Sequence, residues 1–199
     1  MMPQTEQGGL SARSMFVHLR KPPSVNTVRL PPMKRLLTLT AFLTMFSFAS
    51  AEPLKVGDPA PQVTATTEAG VELTFADAYK QTPYTLVFFY PKAFTGGCTA
   101  QSCALRDGYE ALAKQGVSII GVSTDSVETQ KKFKEEHRLP YTLIADTDKK
   151  VIRAFGQTSL MFASRQAYLI KDNKIVYADL KGSTKQQATD ILNFLGANP

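Results

Sequence analysis

The strongest constraint in this sequence is a pair of short apolar runs. After Thr85, the segment Leu86-Val-Phe-Phe-Tyr90 carries only aliphatic and aromatic side chains, and Val117-Ser-Ile-Ile-Gly-Val-Ser123 is a second run of the same kind. A strand that exposes one face alternates apolar with polar, whereas one that is apolar throughout has to be covered on both faces. Between the runs, Leu105, Tyr109 and Leu112 recur at helical spacing, and Gly116 supplies a helix stop. A strand, a helix and a strand of these lengths form a right-handed βαβ unit with parallel strands.

The flanking segments extend this unit. Val63–Thr67 and Val71–Thr74 surround Glu68-Ala69-Gly70, a hairpin pattern. Asp125-Ser-Val-Glu128 reads as a capping box opening a helix that stops at Pro140, followed by a short strand at Thr142-Leu-Ile144. Gln166–Ile170 and Lys174–Ala178 are strands joined by the turn pair Asp172-Asn173. The last helix places Ala188, Ile191, Leu192 and Leu195 on one face, with Thr184 and Gln187 placed to cap its start and Gly196 to end it. Parallel strands first and an antiparallel hairpin later give an α/β fold of thioredoxin-like order. Residues 52–199 contain no internal repeat and no linker, so they are expected to form one domain.

The segment with the most chemistry is Tyr90-Pro-Lys-Ala-Phe-Thr95-Gly-Gly-Cys98-Thr-Ala-Gln-Ser-Cys103. It leaves the buried strand and opens the helix, which puts Cys98 in or near the first turn. Unpaired backbone N–H groups and the positive end of the helix dipole favour an anion there, so a thiol in that place ionises readily. Gly96 and Gly97 allow close backbone approach and leave room for a small substrate. The Thr95 hydroxyl can point at the sulfur or at a bound oxygen.

Pro91-x-x-x-Thr95-x-x-Cys98 resembles the active-site signature of the peroxiredoxin family. The wider run from Phe89 to Thr95, with Cys103 five residues after Cys98, looks like the peroxiredoxin Q (bacterioferritin comigratory protein) subfamily. Val56-Gly-Asp-Pro-Ala-Pro61, Gly121-Val-Ser-Thr-Asp-Ser126, Leu139-Pro140 and Asp146 agree with it, so the resemblance runs from about residue 53 to 195. One departure is Gly96, where the subfamily usually has proline.

The resemblance implies a peroxiredoxin version of the thioredoxin-like fold: a central mixed sheet flanked by helices, with an N-terminal β-hairpin. It implies a thiol peroxidase acting on hydrogen peroxide and organic hydroperoxides, with no cofactor. Cys98 is then the peroxidatic nucleophile and Cys103 the resolving thiol, the pair being reduced by a thioredoxin-like or other dithiol. A distant arginine is implied to stabilise the thiolate, and Ser164-Arg165-Gln-Ala-Tyr-Leu-Ile170 matches the strand that carries it. Arg106, further along the Cys98 helix, is the competing cation. Pro91, Gly97 and Tyr90 are the expected substrate-contacting residues, Tyr90 as a wall of the peroxide pocket. The subfamily is often monomeric, and a monomer is expected.

The spacing adds a condition. Five residues along a regular helix rotate the second cysteine by about 140° and raise it by about 7.5 Å. That exceeds the Cα separation of roughly 7 Å that a disulfide tolerates. The helix start therefore has to unwind for Cys98 and Cys103 to join. A purely structural disulfide closing so short a loop would contribute little stability. A thiol–disulfide oxidoreductase acting on exported proteins is the alternative function, but such enzymes expect Cys-x-x-Cys. Of the two histidines, His18 lies near the N-terminus and His137 stands in a charged segment, expected to be solvated, so no metal site is expected. Lys131, Lys132, Lys134, Glu135 and Glu136 read as a solvated helix face.

Composition matters chiefly for where the charge sits. The net charge is +6, but residues 1–51 hold six basic residues against Glu6 alone, which leaves the remainder near neutral. Binding to nucleic acid loses its main support, since it needs a concentrated basic surface. Met33-Lys34-Arg35, the apolar run Leu36–Phe48 and Ala49-Ser50-Ala51 follow the order of a signal peptide, with cleavage expected after Ala51. The run is too short for stable membrane insertion. The expected location is outside the cytosol, in a bacterial periplasm, with an organelle or the cytoplasm as alternatives. Residues 1–32 are rich in Pro and Gly and read as disordered or as an over-extended start.

Overall fold

A computed structural model describes residues 52–158 and 161–198. The expected extension (1–32) and signal segment (33–51) lie outside the described residues.

A hairpin of β1 (Thr64–Thr66) and β2 (Glu72–Thr74) opens the described chain, with Thr64 paired to Thr74. The main sheet has five strands in the order β5-β4-β3-β6-β7. At its centre β3 (Tyr84–Phe89) pairs in parallel with β4 (Val117–Ser123), and β4 in parallel with β5 (Thr142–Ala145). On the other side β6 (Ala167–Lys171) and β7 (Lys174–Asp179) run antiparallel. Asp172 and Asn173 turn between them with φ of 50° and 59°, the conformation of a two-residue type I′ hairpin.

Both faces of β3 are buried, as its continuous apolar run requires. Leu86, Phe88 and Tyr90 pack in one core layer with Leu105, Leu112, Phe133 and Ile191. Val87 and Phe89 point the other way, into a layer with Phe75, Val151, Phe155 and Tyr168. The first layer is covered by α2 (Gly96–Asp107), α3 (Tyr109–Lys114), α4 (Val127–His137) and α6 (Gln187–Ala197). The second lies under the short helices α1 (Phe75–Ala78) and α5 (Lys150–Ala154). Gly121 of β4 fits because a Cβ there would stand 2.8 Å from both the Phe88 ring and Leu143.

Four local expectations are corrected. The helix after Cys98 is two helices, broken at Gly108, where a Cβ would stand 2.7 Å from that of Ala188. Close docking of α6 wins over a continuous helical pattern. The N-cap of α4 is Ser126, whose hydroxyl accepts from Thr129 N, and not Asp125, which is used elsewhere. At the start of α6 it is Ser183 that accepts from Lys185 N and Gln186 N; neither Thr184 nor Gln187 caps, and the helix continues through Gly196 to Ala197.

Candidate active site

The site lies where β3 leaves the sheet and α2 begins. Tyr90 extends the strand by donating its N–H to Val122 O (3.1 Å). The loop that follows is fixed from below. Ala93 N donates to Asp125 Oδ2 at 2.7 Å, and the same oxygen accepts from the Ser123 hydroxyl at 2.7 Å. The Tyr90 hydroxyl donates to Gln130 Oε1, and Gln130 Nε2 donates to Ser123 Oγ (2.9 Å) and Ile144 O (2.8 Å). Tyr90 is completely buried, and burial pushes its phenol far above the usual range. It braces the loop from inside the core; it does not wall an open pocket. Phe94 takes φ +62°, an uncommon conformation for an aromatic residue, and its ring is held edge-on against Phe133 at 5.1 Å. His137 closes this cluster, 5.0 Å from Phe133 and 6.0 Å from Phe94, so it is packed and not solvated as expected.

Thr95 is the N-cap of α2, with extended backbone. Its hydroxyl donates to Lys92 O at 2.9 Å, which tightens the loop and leaves the oxygen's lone pairs available as acceptors. No side-chain bond caps the helix and no acid sits in its first turn, so the first-turn amides face the Cys98 region without a carboxylate to neutralise them. Cys98 is 1% exposed and packed in the core layer beside Ala93. Pro91 is half-buried at the head of the loop.

Arg165 comes from the neighbouring strand, two residues before β6, which pairs with β3. Its backbone is set by Gly182 N donating to Arg165 O (3.1 Å). Its Nη2 lies 3.3 Å from Cys98 Sγ, and Nη1 donates to Gln101 Oε1 and, at 3.5 Å, to Gly97 O. Gly97 eases this approach: a Cβ there would stand 3.3 Å from Nη2, a tight contact that the guanidinium would have to shift to relieve. Among the described residues no carboxylate pairs with Arg165. Arg106, the rival cation, faces the other way. It donates to His137 O (2.9 Å) and pairs with Asp107 (2.8 Å).

Cys103 is half-buried on the same uninterrupted helix, and both thiols are free. Tyr141 donates its hydroxyl to Ser102 O at 2.8 Å and pins the helix at this point. Two residues of this site escaped sequence reasoning, Gln101 and Gln187, which are bonded to each other at 2.7 Å. The helical spacing of three from Cys98 to Gln101 was the only available signal for the first, and the second was marked only as a helix cap, a role it does not fill.

The sequence model of the AhpC/TSA family matches residues 56–178. Over 154 residues the chain is 39% identical to peroxiredoxin Bcp of Escherichia coli, covering 72% of this chain and 96% of that protein. It is 37% identical over 123 residues to the chloroplastic peroxiredoxin Q of Oryza sativa subsp. japonica, covering 60% and 56% of the two chains. Among solved structures, peroxidoxin BcpB from Mycobacterium tuberculosis superposes with a TM-score of 0.69 at 29% identity, over 73% of this chain and 99% of that one. The matched span takes in Cys98, Cys103 and Arg165 together, and the chain belongs to the AhpC/TSA family as a peroxiredoxin of the Bcp and peroxiredoxin Q group, a thiol peroxidase.

Proposed function

We propose that Cys98 is the peroxidatic residue, that Cys103 resolves it through an intramolecular disulfide, and that an external dithiol regenerates the pair. The observation carrying this reading is the 3.3 Å contact between Arg165 Nη2 and Cys98 Sγ at the start of α2. A guanidinium with no carboxylate partner among the described residues, beside a sulfur that the helix dipole also favours as an anion, supports a thiolate nucleophile.

The thiolate attacks one oxygen of the hydroperoxide. An S–O bond forms as the O–O bond breaks, and the alkoxide or hydroxide that leaves takes a proton from solvent. Arg165, the free amides near Gly97 and Cys98, and the Thr95 oxygen as an acceptor from the peroxide O–H hold the two oxygens as charge moves between them. Cys98 is now a sulfenic acid. The Cys103 thiol gives up its proton and its sulfur displaces the hydroxyl, which takes up a proton and departs as water as the S–S bond forms. The dithiol reductant then exchanges with that disulfide and is itself oxidised.

Unwinding of the first turns of α2 is part of this cycle, because Cys98 and Cys103 stand about 8–9 Å apart at Cα in a regular helix. The uncapped start and the pair Gly96-Gly97 keep that step inexpensive. The order of charge, apolar run and small residues in 33–51 supports export of the mature chain to an oxidising compartment such as a bacterial periplasm. The reductant there would be a thioredoxin-like dithiol of that compartment.

The test is intact mass after limited hydrogen peroxide. Wild type should lose two hydrogens, Cys103→Ser should keep one added oxygen, and Cys98→Ser should be unchanged. An added oxygen on Cys98→Ser would overturn the assignment. The same spectra read the N-terminus, expected at Glu52.

A further inference from the structure

We infer that Gln187, on the terminal helix, is a positioning residue that holds Arg165 against Cys98 through Gln101; the inference rests on Arg165 acting at Cys98 as proposed above. Gln101 and Gln187 are 0% and 1% exposed, on helices that meet over the sheet. The direction of every bond in the chain is fixed by the guanidinium, which can only donate. Arg165 Nη1 donates to Gln101 Oε1, so the Gln101 amide has its NH2 turned towards α6. That NH2 donates to Gln187 Oε1 at 2.7 Å, so Gln187 has to present its oxygen.

The consequence is visible at the end of the relay. Gln187 Nε2 is buried and has no hydrogen-bond partner among the described residues. A buried amide donor is ordinarily satisfied. Here satisfying it by turning the amide over would set two donors face to face at Gln101, and turning Gln101 as well would set its NH2 against the guanidinium. The cationic end of the relay therefore decides the orientation of the neutral end. Gly182 allows the components to come together, since a Cβ there would stand 3.2 Å from Arg165 Cγ and 3.3 Å from Gln187 Nε2. The neighbouring Gln186 is exposed and makes no side-chain capping bond, so the two adjacent glutamines differ in just this respect.

The experiment measures the pH midpoint of Cys98 alkylation and the second-order rate with hydrogen peroxide, in full-length protein. Gln187→Met keeps the shape and removes the acceptor. It should move the midpoint up by about half to one pH unit and slow the peroxide reaction about threefold to tenfold. Gln101→Met should do at least as much, and the double variant should be no worse than Gln101→Met alone, because a relay has one output. Gln187→Glu, which keeps the acceptor, should recover most of the rate, and Gln186→Met should match wild type. A packing role would lower the melting temperature of Gln187→Met and leave the midpoint in place. That result, or strictly additive effects in the double variant, would overturn the inference. If Gln187→Met does not fold, Gln187→Asn, too short to reach Gln101, answers the same question. Arg165→Met separates the two levels: no change there removes the functional reading itself, whereas a change there with none at Gln187 removes only the relay.

Discussion

Arg165 Nη2 lies 3.3 Å from Cys98 Sγ, although 67 positions separate the two residues in the chain. The contact joins two neighbouring strands: Cys98 follows β3, Arg165 precedes β6, and the two strands pair antiparallel. The end of one strand and the beginning of the other meet at the same edge of the sheet, which is how the fold delivers a cation to a thiol it could not reach along the sequence.

Arg165→Met should lower the hydrogen peroxide rate by about a hundredfold to a thousandfold, the range for removing a single donor that stabilises charge in a transition state. Arg165→Lys should recover only part of the loss, because one ammonium cannot serve Cys98, Gln101 and Gly97 as the planar fork does. Stopped-flow kinetics of the reduced protein checks both.

Gly96 is the first residue of α2, and the proline usual in this subfamily is compatible with its surroundings. Thr95 already has φ −87° and ψ 146°, the extended backbone that proline demands of its predecessor. A Cβ at Gly96 would meet nothing within 4 Å. First-turn proline loses no helical hydrogen bond. Gly96→Pro should therefore stabilise the reduced protein by about 0.4–1 kcal/mol, chiefly by restricting the unfolded chain. The same restriction bears on the unwound start of α2, so disulfide formation after peroxide should slow by about twofold to fivefold. Urea unfolding and quenched-flow mass measurements give the two numbers.

Tyr141 acts at the other cysteine. Its hydroxyl donates to Ser102 O, one residue before Cys103, while its ring packs edge-on to Phe88 at 5.8 Å. Burial pushes the phenol far above its usual range, so it remains a donor at neutral and mildly alkaline pH. Tyr141→Phe should cost about 0.5–1.5 kcal/mol in urea unfolding. It should also hasten the step from sulfenic acid to disulfide by about twofold to tenfold, because the bond is one that unwinding α2 has to break. An unchanged rate would confine the unwinding to the turns before Ser102.

The sheet was legible because it rests on local patterns that leave little choice. The Thr85–Tyr90 run could only be a doubly covered strand, Asp172-Asn173 could only turn, and Gly116, at φ +74°, ends α3 as expected. What failed to show was set by contacts between distant elements. The break at Gly108 comes from the close approach of Ala188, and the packing of His137 from Phe94 and Phe133. At the site, Cys98 and Cys103 were marked by spacing and Arg165 by family pattern. Gln101 and Gln187 had no such mark, since a glutamine that lines up a buried relay reads in sequence like one on the surface, as its neighbour Gln186 in fact is.

Glu68 shows the same difference away from the site. In sequence it is one of three residues in a hairpin turn; in the fold its side chain is 12% exposed and pairs with Lys134 of α4, so Lys134 leaves the solvated face to which the charge pattern assigned it. The second carboxylate oxygen accepts from Leu143 N at 2.9 Å, and Glu68 N donates to Leu143 O, so the turn closes the free edge of β5. Glu68→Ala would leave the Leu143 amide without its acceptor and Lys134, whose side chain is 28% exposed, without its counter-charge. The cost should be about 2–4 kcal/mol, combining an orphaned amide with a broken, partly buried pair. Glu68→Gln keeps an oxygen for Leu143 N and should lose only about 1 kcal/mol. Neither variant should change the hydrogen peroxide rate per folded molecule, because the hairpin braces β5 and α4 without touching Cys98, Arg165 or the relay between them. Urea unfolding of the two variants side by side measures how much of the edge depends on the amide acceptor and how much on the charge.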